Sequence, residues 1–162
     1  MSKYHFFWGG PFSQWWQSEF KVGTTMYYTA EQYMMAEKAR LFGDGLALSE
    51  ILATLDPKKQ KAWGRKVRNF DQKIWNENKV RIVYHGNKAK FTQNPDLLSD
   101  LFATEDKLIV EASPYDKVWG IGLNEQMAKV IPEKNWEGEN LLGRILSQLR
   151  EDLIEEYVRS CD

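Results

Sequence analysis

Two charged residues stand where a helix should be apolar. In "YTAEQYMMAEKARLF" the spacing predicts an amphipathic helix, with Thr29 and Gln32 as a capping box and Gly43 as its stop. On a wheel of about 100° per residue, Met34, Met35, Lys38, Leu41 and Phe42 fall within about 80° of Glu31 on one side and about 40° on the other. Glu31 and Lys38 are thus in the middle of the apolar stripe, two turns apart, while Glu37 and Arg40 take the solvent side. A charge facing a core is costly unless it is paired or used. Glu31 alone could serve the helix dipole, and Lys38 alone could extend its ammonium to water along its stem. Together they point to a pocket. Burial would lower the lysine pKa toward a nucleophilic amine and raise the glutamate pKa toward a general acid.

A third candidate is Asp116 in "EASPYDKVWGIG", residues 111–122. The apolar run "KLIVEA" reads as a buried strand that Pro114 stops, leaving Asp116 at the strand's exit. Trp119 offers a face for stacking, and Gly120 and Gly122 allow tight backbone beside a ligand. Alone, Asp116 reads as a turn residue; with Glu31 and Lys38 upstream it becomes a candidate catalytic carboxylate. The "GIG" is not a dinucleotide fingerprint, because the third glycine and the leading βαβ unit are missing.

The surrounding elements must position these groups. "FKVGTTMYY" reads as a hairpin about Gly23. "DPKKQKAWG" predicts a short helix with Asp56 as N-cap, Pro57 at the first helical position and Gly64 beyond the end. Asp71 opens a longer helix to about Phe91, although "VRIVYHG" also reads as a strand, and His85 before Gly86 reads as a helix-end residue. Asn94 and Pro95 repeat the cap-then-proline signature ahead of "KLIVEA". "NLLGRILSQLREDLIEEYV" places Leu142, Ile145, Leu146, Leu149 and Leu153 on one stripe. Met34 and Met35 read as core filling. The expectation is an α+β fold in a single compact domain over residues 1–162, several helices packed around a small β-sheet.

Composition narrows the function class. The chain has 162 residues, 43% of them hydrophobic and 28% charged, which suits one folded domain rather than disorder. Seven Trp, seven Tyr and eight Phe exceed what a small core uses, and spare aromatics stack on planar ligands. No run approaches the roughly 20 apolar residues of a membrane span, and "MSKYHFFWGG" lacks signal-peptide features. The single Cys161 fits a reducing compartment, so a cytoplasmic (intracellular) protein without membrane partners is expected. His5 and His85 stand apart with no cysteine cluster, so neither metal nor cofactor is expected. Net charge is -1, but residues 57–93 hold eleven Lys/Arg against Asp71 and Glu77, a local net of +9 suited to phosphates. "KKQKAWGRKVRNF" also interleaves Trp63 and Phe70 with that charge.

The ordered series "FWGGPFSQW", "YTAEQYMMAEKARLF", "WGRKVRNF" with Trp75, "KFTQN", "EASPYDKVWGIG" and "GENLLGRIL" resembles the NADAR, or YbiA-like, family from about residue 6 to residue 150. The resemblance implies an N-glycosidase of ribosylated amines. Some members remove ADP-ribose from guanine in nucleic acid, in some bacteria paired with DarT-type toxins. Others cleave riboflavin-pathway intermediates with ribose phosphate on an exocyclic amine. By motif, Glu31 and Asp116 are similar to the family's catalytic carboxylates and Lys38 to its pocket lysine. Trp75 and Trp119 match aromatic pocket positions, and Gly9, Ser13, Gln14, Gly120 and Asn140 match ligand-contacting ones. Some relatives read Ser-Asn where this chain has Ser13-Gln14. The implied chemistry has Lys38 attack the anomeric carbon and form a Schiff base, Glu31 move the proton, and Asp116 offset positive charge or activate water. Trp75 or Trp119 would stack on a ring, and Arg65 or Lys66 would meet phosphate. The +9 block favours ADP-ribosylated guanine over the riboflavin intermediate. From another class, a non-catalytic ADP-ribose or nucleotide reader would share the aromatic and basic content but would not need Glu31 and Lys38 on an apolar face.

Overall fold

The computed structural model describes residues 2–162. Its elements run β1 (Tyr4–Phe7), β2 (Phe20–Val22), β3 (Thr25–Tyr27), α1 (Ala30–Leu41), α2 (Gly45–Leu52), α3 (Pro57–Arg65), α4 (Gln72–Thr92), α5 (Pro95–Phe102), β4 (Leu108–Glu111), α6 (Glu125–Val130), a 3₁₀ turn at Glu133–Asn135, and α7 (Leu141–Ser160). This is the expected α+β class. The strands form two separate pairs instead of one sheet: β1 with β4 in parallel, and β2 with β3 antiparallel. The chain divides into two units, one made by the chain up to Ser13 together with Leu98–Asp162, the other by Gln14–Leu97.

In the first unit β1 and β4 pair in the register Tyr4↔Leu108 to Phe7↔Glu111. "KLIVEA" is the strand the sequence indicated, whereas β1 gave no strand signal because its four residues, YHFF, are too few to show an apolar–polar alternation. The stripe Leu142, Ile145, Leu146, Leu149 and Leu153 of α7 is buried as expected. Helix and strand approach closely at Gly143, where a Cβ would stand 2.1 Å from the Ile109 carbonyl oxygen. A second cluster of Val110, Ile121 and Ala128 collects Tyr4, Phe6 and Trp136 around it.

In the second unit the β2–β3 hairpin turns at Gly23, which takes φ 62°, and α1 packs against α2, α3 and α4. Two glycines let these helices meet. A Cβ on Gly64 would fall 1.8 Å from the Met35 sulfur, and one on Gly86 would fall 2.4 Å from the Tyr33 ring. Gly64 is therefore inside α3, where it admits α1, and does not end the helix as its sequence position suggested. α4 is continuous, which removes the strand alternative and puts His85 in mid-helix, on its exposed side. Among the described residues no helix is long and apolar enough to cross a membrane, and no group of His, Cys, Asp and Glu could hold a metal ion.

Candidate active site

The start of α1 is fixed by a buried polar network. Thr29 Oγ1 accepts the Gln32 amide proton (2.9 Å) and donates to Gln60 Oε1 (2.6 Å). Gln32 Nε2 donates to the carbonyls of Ile51 and Thr54, Gln60 Nε2 also donates to Thr54, and Gln32 Oε1 accepts from the Tyr28 amide. The capping box is thus present, but its return bond lands one residue earlier than the motif requires. Thr29, Gln32 and Gln60 are all solvent-excluded, and satisfying one another is what makes that burial affordable. The network locks the first turn of α1 to the end of α2 and to α3, and Glu31 lies within that turn.

Glu31 is 5% exposed, and its backbone N–H donates to the Gln14 carbonyl at 2.9 Å. Two turns on, half-buried Lys38 lays its ammonium 4.6 Å from the Phe70 ring centroid and 5.5 Å from that of Trp75. Burial pushes the Lys38 pKa below its ordinary value of 10.5; the Arg65 guanidinium acts in the same direction and Glu31 opposes them. The net direction favours a neutral amine, which is what a lysine nucleophile needs.

The rings that meet Lys38 come from the loop after α3 and the first turn of α4. Asp44 caps α2 by accepting from the Ala47 amide, and its other oxygen accepts from the Arg68 amide. Those two backbone donors hold its carboxyl below the usual range. One carboxylate thereby ties the loop leading to Phe70 against α2. Asn69 takes φ 62° just before Phe70, which itself packs on Phe42 at 5.3 Å. Asp71 caps α4 and sets buried Trp75 in its first turn.

The second unit therefore gathers Glu31, Lys38, Arg65 and Trp75, with Gln14 beside Glu31. It adds two residues that were not assigned from sequence. Phe70 ends the "WGRKVRNF" motif, and its 40% exposure beside an ammonium was the missing clue. Asn87 was invisible because nothing local marks it. Its Nδ2 donates to the Val83 carbonyl and to Gln14 Oε1, both at 2.9 Å. The Val83 carbonyl accepts only, so it fixes which way the Asn87 amide faces, and Asn87 in turn fixes Gln14 with oxygen inward and its NH2 as the remaining donor.

The remaining sequence-assigned residues belong to the first unit. Asp116 Oδ1 accepts from the amides of Val118 (2.9 Å) and Trp119 (2.8 Å), a turn-forming role that leaves Oδ2 for other work. Gly120 is required by packing, since a Cβ would lie 2.9 Å from the Glu111 carbonyl and 3.0 Å from that of Asp116. Asn140 is buried and brackets the edge of β4, donating to the Ile109 carbonyl and accepting from the Glu111 amide. Gly120 and Asn140 thus have structural work that their motif positions alone did not reveal. Gly9 takes φ 93° and lines a cavity of about 360 Å³ with His5, Phe7, Pro11, Phe12, Asp100 and Ala103. Ser13 closes a turn by donating its amide to the Gly10 carbonyl.

With this geometry in place, comparison with known proteins is decisive. Residues 6–154 match the NADAR domain family. The chain belongs to the NADAR family. It is 50% identical over 146 residues to N-glycosidase R617 of Acanthamoeba polyphaga mimivirus, covering 87% of this chain and 86% of that protein. It is 31% identical over 133 residues to riboflavin biosynthesis protein PYRR, chloroplastic, of Zea mays, covering 78% of this chain but 20% of that protein. The solved NMR structure of the E. coli protein YbiA superposes with a TM-score of 0.79 at 28% identity, over 96% of this chain and 87% of that one. The NADAR assignment made from motifs and the α+β fold are both upheld.

Proposed function

We propose that this NADAR protein is an N-glycosidase that hydrolyses the bond between a ribose anomeric carbon and an exocyclic amine, with ADP-ribosylated guanine in nucleic acid as its substrate. The observation that carries the reading is Lys38, an amine pushed toward neutrality by burial and by Arg65, set against two aromatic rings and within the field of buried Glu31. The rings stabilise the ammonium, as they would for a structural lysine, but its lowered pKa and the buried carboxylate on the same stripe are what a nucleophile and its proton donor require.

The chemistry follows from these groups. A ribosylated amine opens its sugar ring to an imine when the ring oxygen takes a proton, and Glu31 is the donor assigned to that step. The neutral Lys38 amine adds to the imine carbon. Proton transfer to the base nitrogen then expels the free amine, leaving C1′ bonded to Lys38 as a Schiff base. Water adds to that carbon and the lysine departs, so one water is consumed and free ribose product and free amine are released. Phe70 and Trp75 exclude water around the amine and offer stacking faces, while Arg65 meets phosphate. Asp116 is assigned charge stabilisation or water activation on its motif, and Asp116→Asn tests it: loss of turnover with an unchanged melting temperature supports catalysis, whereas loss of stability alone supports the turn.

A second substrate, a phosphoribosylamino-pyrimidine, is favoured by the similarity to the maize riboflavin protein. A side-by-side assay of an ADP-ribosyl-guanine oligonucleotide and that pyrimidine, with Lys38→Ala and Glu31→Ala as controls, separates the two by a rate gap of several orders of magnitude. Tight ADP-ribose binding with no product from either substrate would support the non-catalytic reader instead.

A further inference from the structure

The pocket chemistry uses Arg65 but leaves the rest of α3 unexplained. From Pro57 to Phe70 the chain carries six basic residues, Lys58, Lys59, Lys61, Arg65, Lys66 and Arg68, and no acidic one. Gln60 and Gly64 are the buried face of α3. At about 100° per residue, Lys58, Lys59, Lys61 and Arg65 all fall within about 100° of the opposite direction, so the solvent face is a cationic ridge. Among the described residues none of Lys58, Lys59, Lys61, Arg65 and Lys66 forms an ion pair.

Tryptophan flanks both edges of the ridge. Lys61 lays its ammonium 5.9 Å from the Trp15 ring centroid, and Lys66 lies 5.3 Å from that of Trp63. Trp15 is 43% exposed and its neighbour Trp16 42%. Adjacent in sequence, they put two partly exposed indoles beside the ridge. At the end of the ridge nearest the pocket stands Arg65, whose charge already acts on Lys38.

We propose that the α3 ridge with Trp15 and Trp63 is a docking track for single-stranded nucleic acid, holding the nucleotides that flank the base processed at Lys38. Bases stack on the indole faces, and the lysines now lying over those faces swing to the phosphates, so the two aromatic–lysine pairs exchange one partner for another. A duplex keeps its bases stacked internally and cannot use the rings, so the track selects single strands. The link to Lys38 rests on the proposed N-glycosidase function; the track itself is measured without turnover.

The test is fluorescence anisotropy with an unmodified labelled oligothymidine, the matching duplex and anionic phospholipid vesicles, on wild type, Trp15→Ala, and Lys58→Gln/Lys59→Gln/Lys61→Gln. The strand should bind more tightly than the duplex. The triple variant should flatten the slope of log affinity against log salt by about 2, since each lost charge removes about 0.7. Trp15→Ala should weaken binding about 5- to 150-fold with the slope unchanged. Both variants should hydrolyse a mononucleotide-sized ribosylated amine like wild type. Equal strand binding by all three proteins, preference for duplex, or binding to vesicles in place of the strand would overturn the track. Strand binding as expected with no hydrolysis of any ribosylated amine would instead sink the N-glycosidase reading and leave the track standing.

Discussion

Lys90 gives a quantitative test of how this fold treats buried charge. It is 0% exposed in α4, its ammonium lies 5.1 Å from the Phe91 ring centroid, and burial pushes its pKa from 10.5 down to about 7. Between those values the unfolded chain binds more protons than the folded one, so stability rises with pH through the window and the full penalty stands below pH 7. At about 1.4 kcal/mol per pH unit, burying the charged form costs about 5 kcal/mol in acid, about 4 at pH 7 and about 1.4 at pH 9.5. Lys90→Met removes the titration and adds a packing term that is the same at every pH. The stability difference between variant and wild type should therefore move by about 3 kcal/mol, to the disadvantage of the variant, from pH 7 to pH 9.5. For a chain of this size that is a relative shift of about 6–12 °C in Tm. Urea unfolding followed by tryptophan fluorescence reads it directly. A difference that stays constant over that range would refute the reasoning, because Lys90 would then keep its proton in the folded protein as readily as in water.

Three further outcomes are expected. Arg65→Met should raise the Lys38 pKa and Glu31→Gln should lower it, as followed by pH-dependent reductive methylation of Lys38; shifts of the same sign would contradict the electrostatics of the pocket. Gln14→Glu keeps an acceptor toward Asn87 but loses the NH2 and buries a second carboxylate beside Glu31, so KM should rise and Tm should fall, the fall easing as pH drops, whereas Asn87→Leu should cost about 1–3 kcal/mol in stability at every pH by stranding Gln14. Gly86→Ala gains about 1 kcal/mol of helix propensity but drives a Cβ to 2.4 Å from the Tyr33 ring, and a net loss of about 1–3 kcal/mol should appear in thermal melts.

What sequence could reveal depended on whether the signal was local. Caps are local, and Thr29, Asp56 and Asp71 all cap helices where their side chains indicated. The α7 stripe and the Glu31–Lys38 pair follow from periodicity within a single helix. Gly64 and Gly86 were misleading because a glycine that ends a helix and one that admits a neighbouring helix look the same in one dimension; only Met35 and Tyr33 distinguish them. The β1–β4 pair joins residues about 100 positions apart through four-residue strands, too short for alternation to register. At Asn140 the motif gave no hint that both ends of its side-chain amide hydrogen-bond β4, because those partners lie about 30 positions earlier in the chain.

The central claim is that the Lys38 amine attacks the anomeric carbon. Sodium borohydride added while the enzyme turns over an ADP-ribosylated guanine oligonucleotide should trap a reduced sugar adduct, which mass spectrometry would locate on the peptide carrying Lys38. No adduct, together with a Lys38→Ala variant that keeps most of its activity, would contradict the account.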